Sequence, residues 1–327
     1  MNRRYVIALV GAGNIGSRHL QGLALSRLDA DIHIVEPNEA AASLATERLA
    51  QVKAGANLRF SFHRALNDLP PVLDVAIIAT PAGPRRKITE ALLARVEVKA
   101  IVFEKFLFQT IADHEEIGEM LLARGIRAYV NTPRRYWPGY QALAERIRGR
   151  GPVTLLVEHD TRHGLATSLI HLIDLLAFLA GPGGRYRFDG AGLVPAQDAS
   201  RHADALEFAG PFTGASDRGD ILAIHPSAST EGRMTVVVDR TLYRIDEGAR
   251  TMTTTALDGA DTRTEAPFEI LFQSQLSHRI AEDIIERGTC ALPDYAESSA
   301  LHIACLEALL EAMGKARDAR TARCAIT

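Results

Sequence analysis

The sequence is poor in cysteine. Cys290, Cys305 and Cys324 stand far apart and fit no zinc or redox spacing. An odd number of scattered thiols argues against a disulfide framework and suits a reducing compartment. The expected location is therefore cytoplasmic. A charge excess is also missing: 37 Lys and Arg face 40 Asp and Glu, a formal net charge of −3. A nucleic-acid binder carries a basic patch. The runs RRYW and RIRGR are too sparse to make one, so no nucleic-acid partner is expected. No apolar stretch approaches the roughly 18 residues of a membrane span. The opening run YVIALV stops at Gly11, too short for a signal-peptide core. Internal repeats and low-complexity tracts are missing too. What remains is a chain of 327 residues, 47% of them hydrophobic. At roughly 100–200 residues per domain, that suits two packed domains.

Up to about residue 130 the sequence alternates strand-like and helix-like segments. YVIALV, DIHIVEP, LDVAIIATP, KAIVFEK and IRAYVN read as strands, apolar as strands buried on both faces are. Between them lie helical patterns, one opening at Asn38, a good cap. FSFHRALNDL reads as irregular. This alternation predicts an α/β Rossmann-type domain, a doubly wound parallel sheet, over residues 1–130. Residues 131–327 differ. Strand-like GPVTLLVEHD precedes an apolar helix, then a Gly/Pro/Ala-rich region from 181 to 220 reads mostly as loop. DILAIH, RMTVVVDR, LYRIDE and TMTTTA read as consecutive strands, and two helices follow. That order predicts an α+β domain with a largely antiparallel open sheet.

Doubly wound sheets bind ligands at the carboxyl ends of their strands. There stands Gly11-Ala12-Gly13-Asn14-Ile15-Gly16, a G-x-G-x-x-G between the first strand and a helix. Gly11 permits the tight turn, Gly13 the approach of a pyrophosphate, and Gly16 close helix–strand packing. The amides of Asn14 and Ile15 open a helix N-terminus that attracts phosphate. Glu36 ends the second strand, where a carboxylate accepts ribose hydroxyls and repels a 2′-phosphate, which favours NAD over NADP. Thr80 and Pro81 form a turn able to line the dinucleotide, or an ordinary strand-to-helix turn. Glu104 and Lys105 end an apolar strand; the lysine either snorkels to solvent or is held in a site.

TSLIHLIDLLAFLAG, residues 167–181, is apolar at helical length yet carries His171 and Asp174. Thr167, His171, Asp174 and Phe178 fall on one stripe. An unpaired buried carboxylate is expensive, so this stripe should face partners, water or a cleft. His171 and Asp174 could share a metal, but no third ligand stands at an expected spacing, and none is expected.

Taken in order, GAGNIGSRH, ATP, EKF and IHLIDLLAFLAG resemble the Gfo/Idh/MocA oxidoreductase family. The resemblance implies an NAD(P)-binding Rossmann domain plus an α/β domain whose open sheet supports homodimers or homotetramers. It implies hydride exchange with the carbinol carbon of a sugar, cyclitol or sugar nucleotide. Lys105 matches the lysine of the family's E-K-P, and His171 its catalytic histidine. Glu104 falls with the cofactor residues. Three positions depart from the pattern. Thr167 stands where many members carry aspartate, Phe106 where they carry proline, and Arg85 where they often carry histidine. A Lys105–Phe106 peptide is expected to be trans. Arg134 and Arg135, in a segment similar to the family's substrate side, would suit an anionic substrate. Arg135, Thr167 and Asp174 are the substrate-side candidates. The function expected is NAD-dependent oxidation or reduction of a sugar-like, anionic or nucleotide-linked alcohol or ketone. The alternative is a non-catalytic NAD-binding or regulatory protein on the same fold.

Overall fold

The structure is a computed structural model that describes residues 3–160, 164–196, 205–227, 233–257 and 263–326. The chain forms two units. The first comprises Met1–Phe108, Asp113–Pro133 and Leu271–Ser298; the second comprises Gln109–Ala112, Arg134–Ile270 and Ser299–Thr327. A linear division at residue 130 falls near Pro133 but misses Leu271–Ser298, which returns to the first unit.

Six strands build the first sheet: β1 (Tyr5–Val10), β2 (Ala30–Val35), β3 (Leu58–His63), β4 (Val75–Ile78), β5 (Ala100–Phe103) and β6 (Arg127–Val130). All pair in parallel, in the order β3-β2-β1-β4-β5-β6. β4 and β5 are buried along their whole length, which is why they read as unbroken apolar runs. FSFHRALNDL reads as irregular, but its first residues belong to β3. It is an edge strand pairing only with β2, half solvated, so Arg59 and Ser61 interrupt any apolar run. Helices α1 (Asn14–Leu23), α2 (Glu39–Ala50), α3 (Ala82–Leu93) and α4 (Ile111–Ala123) follow β1, β2, β4 and β5. Asn38 caps α2, its side chain accepting from the Ala41 amide at 3.0 Å. The returning segment is tied to α1 by His19 Nδ1 against Ser277 Oγ at 2.9 Å. Ser26 Oγ also donates to Glu282 at 2.9 Å.

The second unit is built on β7 (Val153–Asp160), β8 (Tyr186–Asp189), β9 (Val194–Ala196), β10 (Glu207–Ala209), β11 (Phe212–Ser216), β12 (Ile221–Ser227), β13 (Arg233–Val238), β14 (Thr241–Asp246), β15 (Thr251–Ala256) and β16 (Arg263–Pro267). Eight of them form one sheet in the order β8-β11-β12-β7-β13-β14-β15-β16. β12 and β7 run parallel; the other described pairs are antiparallel. β9 and β10 make a separate antiparallel ribbon. Four short strands thus fall within 181–220, which the sequence reads as mostly loop; residues 197–204 lie outside the described residues. The glycine that hid β11 has a packing cause. A Cβ on Gly214 would sit 2.1 Å from the Phe188 ring, which stacks on Phe212 at 5.4 Å. α5 (Pro138–Ile147) and α6 (Ala166–Ala180) also belong to this unit, and α6 ends at Gly181, whose φ is +81°.

Candidate active site

In the first unit the strand order reverses between β1 and β4, and the loops after these strands flank that point. Gly11 has φ +89°, and a Cβ there would meet Thr80 Cγ2 at 3.0 Å. A Cβ on Gly16 would lie 2.0 Å from Gly11 O, so this turn admits only glycine there. A Cβ on Gly13 would meet nothing within 4 Å. This leaves open space over the start of α1, where Asn14 and Ile15 are exposed and the first turn carries no acidic residue. Amides at such a helix start favour an anion.

Glu36 accepts from the Ala12 amide at 2.7 Å and the Asn38 amide at 2.9 Å. It joins the glycine loop to the cap of α2. A carboxylate has about four acceptor sites, so two remain for ribose hydroxyls. Replacing Glu36 by alanine is expected to weaken NADH binding about tenfold, the scale of one charge-assisted hydrogen bond. NADPH should lose less. Fluorescence titration with both reduced cofactors checks this; an equal loss for both would contradict the reading of Glu36.

Thr80 is 9% exposed, and its Oγ1 is a buried hydroxyl with no hydrogen-bond partner among the described residues. Pro81 stands outside the first turn of α3 as its N-cap. The orphaned hydroxyl and the open cradle at Gly13 fit a dinucleotide laid across the end of this sheet. Glu104, by contrast, is turned inward. It is 5% exposed, faces His19 Nε2 at 2.8 Å and accepts from Asn131 Nδ2. Burial raises its pKa, but the bonds from His19 and Asn131 and the charge of Lys105 outweigh this and hold it below the usual value. Lys105 follows it, half-buried, at the carboxyl end of β5. The Lys105–Phe106 peptide is cis, against the expectation of trans; Arg85 donates to the carbonyls of Phe106 and Leu107 there.

In the second unit the polar stripe lies on α6 as the spacing implied. Asp174 is 1% exposed and receives Arg135 in a forked ion pair, Nε at 3.0 Å to both oxygens and Nη2 at 2.7 Å to Oδ1. The same guanidinium lies 5.6 Å from the Phe178 ring centre. Arg134 pairs with Glu247 at 2.8 and 2.9 Å. Each arginine offered as an anion receptor is thus matched to a carboxylate within its own unit. His171 is half-buried and Thr167 exposed, one turn apart. The Thr167 hydroxyl donates to Glu207 Oε1, and Glu207 Oε2 accepts from the Ala166 amide at 2.9 Å. Glu207 is 4% exposed, and a Cβ on Gly164 would lie 2.0 Å from its carboxyl carbon. Sequence reasoning missed Glu207. Forty residues separate it from Thr167, it sits on a three-residue strand, and only the lone carboxylate in LEFAG marked it. Among the described residues no cluster of His, Cys, Asp and Glu could hold a metal. No helix of the described residues is long and apolar enough to cross a membrane.

Residues 5–132 match the model of an oxidoreductase family with an NAD-binding Rossmann fold, Gfo/Idh/MocA. The match covers the Rossmann unit and is a likeness to that family's NAD-binding domain. The family is NAD-binding, and the glycine loop, Glu36 and Thr80 all lie within the matched stretch. No curated protein matches the chain. Solved structures share the fold over nearly the full length. UDP-N-acetylglucosamine 3-dehydrogenase GnnA from Acidithiobacillus ferrooxidans has 17% identity, with 96% of this chain and 100% of that chain covered and a TM-score of 0.71. An oxidoreductase from Agrobacterium radiobacter, solved with NAD+, L-tartaric acid and magnesium, has 13% identity, 98% of both chains covered and a TM-score of 0.70. A super-repressor mutant of Gal80p from Saccharomyces cerevisiae has 12% identity, 95% of this chain and 96% of that chain covered, and a TM-score of 0.71. The eight-stranded sheet seen here is consistent with the Gfo/Idh/MocA fold.

Proposed function

We propose that the chain is an NAD-dependent dehydrogenase or reductase acting on a CH–OH group of a sugar-like substrate. The observation that carries this is the place of Lys105: the carboxyl end of β5, on the same sheet end as the glycine loop and Thr80. When bound, NAD supplies nicotinamide C4 as hydride acceptor. A secondary alcohol gives up hydride only as its hydroxyl proton leaves. His171 is the base for that proton, since imidazole titrates near neutral pH, and it is the acid in reverse. Lys105 hydrogen-bonds the same oxygen and stabilises the growing alkoxide charge. The Arg135–Asp174 pair holds the helix face that carries His171.

Thr167 no longer speaks against chemistry on this reading. The carboxylate that the resemblance implies at 167 stands beside it as Glu207, contributed by β10. The bond to Glu207 fixes the direction of the Thr167 hydroxyl on the helix face that carries the imidazole one turn on. Glu207→Gln replaces an acceptor by an amide able to donate, and is expected to slow turnover by about tenfold or more with NADH binding unchanged. An unaltered rate would remove Glu207 from the account.

The substrate class is tested by label transfer. The protein is incubated with NADH deuterated at C4 and a panel of keto sugars, free and nucleotide-linked. One panel member derives from UDP-N-acetylglucosamine, because a dehydrogenase of that sugar shares the fold. Deuterium at a carbinol carbon is the expected result. No label in any sugar, with NADH bound stoichiometrically, favours a regulatory NAD-binding protein. Assembly as a homodimer or homotetramer through the open sheet face belongs to the same reading; Leu156 and Ile221 are exposed on neighbouring strands there.

A further inference from the structure

Arg85 is 1% exposed, among the largest fully buried side chains of the protein. It lies in the first turn of α3 and spans two loops of the first unit. Nη2 donates to Thr80 O, in the loop after β4. Nη1 donates to Phe106 O and, at 2.8 Å, to Leu107 O, in the loop after β5. A buried cation is costly unless polar groups replace its water. Here three carbonyl oxygens do so for Nη1 and Nη2, while Nε has no hydrogen-bond partner among the described residues. Burial pulls its pKa down to about 10, against the opposing pull of Glu104, and the group stays charged at neutral pH. The nearby imidazole adds no second charge: burial holds His114 down to about 3. Its ring stands edge-on to Phe106 at 6.4 Å and Phe108 at 5.3 Å and packs against the same loop.

The donor count decides what this residue can do. A planar guanidinium offers a rigid fork that reaches several carbonyls at fixed angles. An imidazole in this place donates at most two hydrogen bonds, one from each nitrogen, and an ammonium has no fork. Two departures from the family pattern, Arg85 and Phe106, meet in one hydrogen bond. The loops so joined carry the orphaned Thr80 hydroxyl and the Lys105 amine.

We infer that Arg85 is the positioning residue that fixes the Thr80 loop against the Lys105–Leu107 loop, setting both NAD affinity and the aim of Lys105. The part that concerns Lys105 rests on the function proposed above; the part that concerns NAD does not. A brace of this kind acts by preorganisation, so its loss raises the cost of binding rather than removing a contact to the ligand.

The test uses the full chain with Arg85→Met and Arg85→Lys, and NADH as the probe. Two quantities are read besides thermal stability: the NADH dissociation constant, and the 13C signal of Lys105 in reductively methylated protein. Lys105 is one of five lysines, and Lys105→Arg assigns its signal. Arg85→Met is expected to weaken NADH by about tenfold or more and to move the Lys105 signal. Arg85→Lys, which keeps the charge but loses the fork, should give a smaller change of both. If a variant loses thermal stability yet binds NADH within about twofold of the parent, with the Lys105 signal in place, the inference is overturned. Should Arg85→Met fail to fold, Arg85→Lys decides by the same two readings. Turnover of Lys105→Ala separates the two proposals. If it keeps full rate, the role given to Lys105 fails, while the effect of Arg85 on NADH stands or falls on its own numbers.

Discussion

Lys105→Ala and His171→Ala are each expected to slow hydride transfer by about 10²–10⁴-fold, the range for a lost proton-transfer group or alkoxide stabiliser. The two losses differ in kind. Without Lys105, the developing charge on the substrate oxygen has no cation beside it, and the loss should be similar at every pH. Without His171, the proton has no acceptor. The pH–rate profile should then lose the limb that reports the imidazole, and hydroxide should become the base. NADH binding should survive both changes, because the proposed holders of the dinucleotide are the glycine loop, Glu36 and Thr80. Single-turnover rates across pH, with NADH titrations alongside, read this directly. Ordinary rates in both variants would remove both residues from the chemistry. A normal rate accompanied by lost NADH binding would make Lys105 a cofactor ligand only.

The largest effect on stability is expected at Asp174. Its carboxylate is 1% exposed and takes a forked pair from Arg135, itself 7% exposed. Asp174→Ala strands the guanidinium without its partner, and breaking such a pair costs about 3–5 kcal/mol. At about 2–4 °C per kcal/mol for a unit of this size, the melting temperature should fall by roughly 10 °C. The paired change Asp174→Leu with Arg135→Met removes both charges and should cost far less, since burying an ion pair is itself expensive. Thermal and urea unfolding of the three proteins test this. A single variant within about 1 kcal/mol of the parent would mean that water reaches the pair. A double variant as damaged as the single would point to packing rather than charge.

How much of this was legible in the sequence depends on what each feature leaves in a single stretch of residues. β4 and β5, buried on both faces, leave unbroken apolar runs, and both strands were read. β3 is solvated on the sheet edge, and its alternating Arg59 and Ser61 erased the signal. β11 was masked by Gly214, required by an aromatic ring on the next strand, a cause that lies outside the stretch itself. The stripe on α6 follows from helical period alone, so Thr167, His171 and Asp174 could be aligned before any coordinates. Their partners could not. Arg135 reaches Asp174 across 39 residues, and Glu207 reaches Thr167 across 40. The resemblance implied an anion-binding Arg135 and a missing aspartate at Thr167; pairing over distance changes both pictures. The same holds for Arg85, whose three acceptors sit on two loops, and for Glu104, whose partners His19 and Asn131 come from α1 and the end of β6. Residue type also gave the wrong isomer for the Lys105–Phe106 bond.

The central claim is that this chain moves hydride between NAD and a sugar-like alcohol, with Lys105 and His171 at the reacting oxygen. Stopped-flow absorbance of the NADH band is its most direct test. The protein–NAD+ complex is mixed with a panel of free and UDP-linked sugars, and the experiment is repeated with His171→Ala. The account predicts a rapid rise of bound NADH with at least one sugar, lost in the variant. No rise with any sugar, from a complex fully loaded with NAD+, would contradict it.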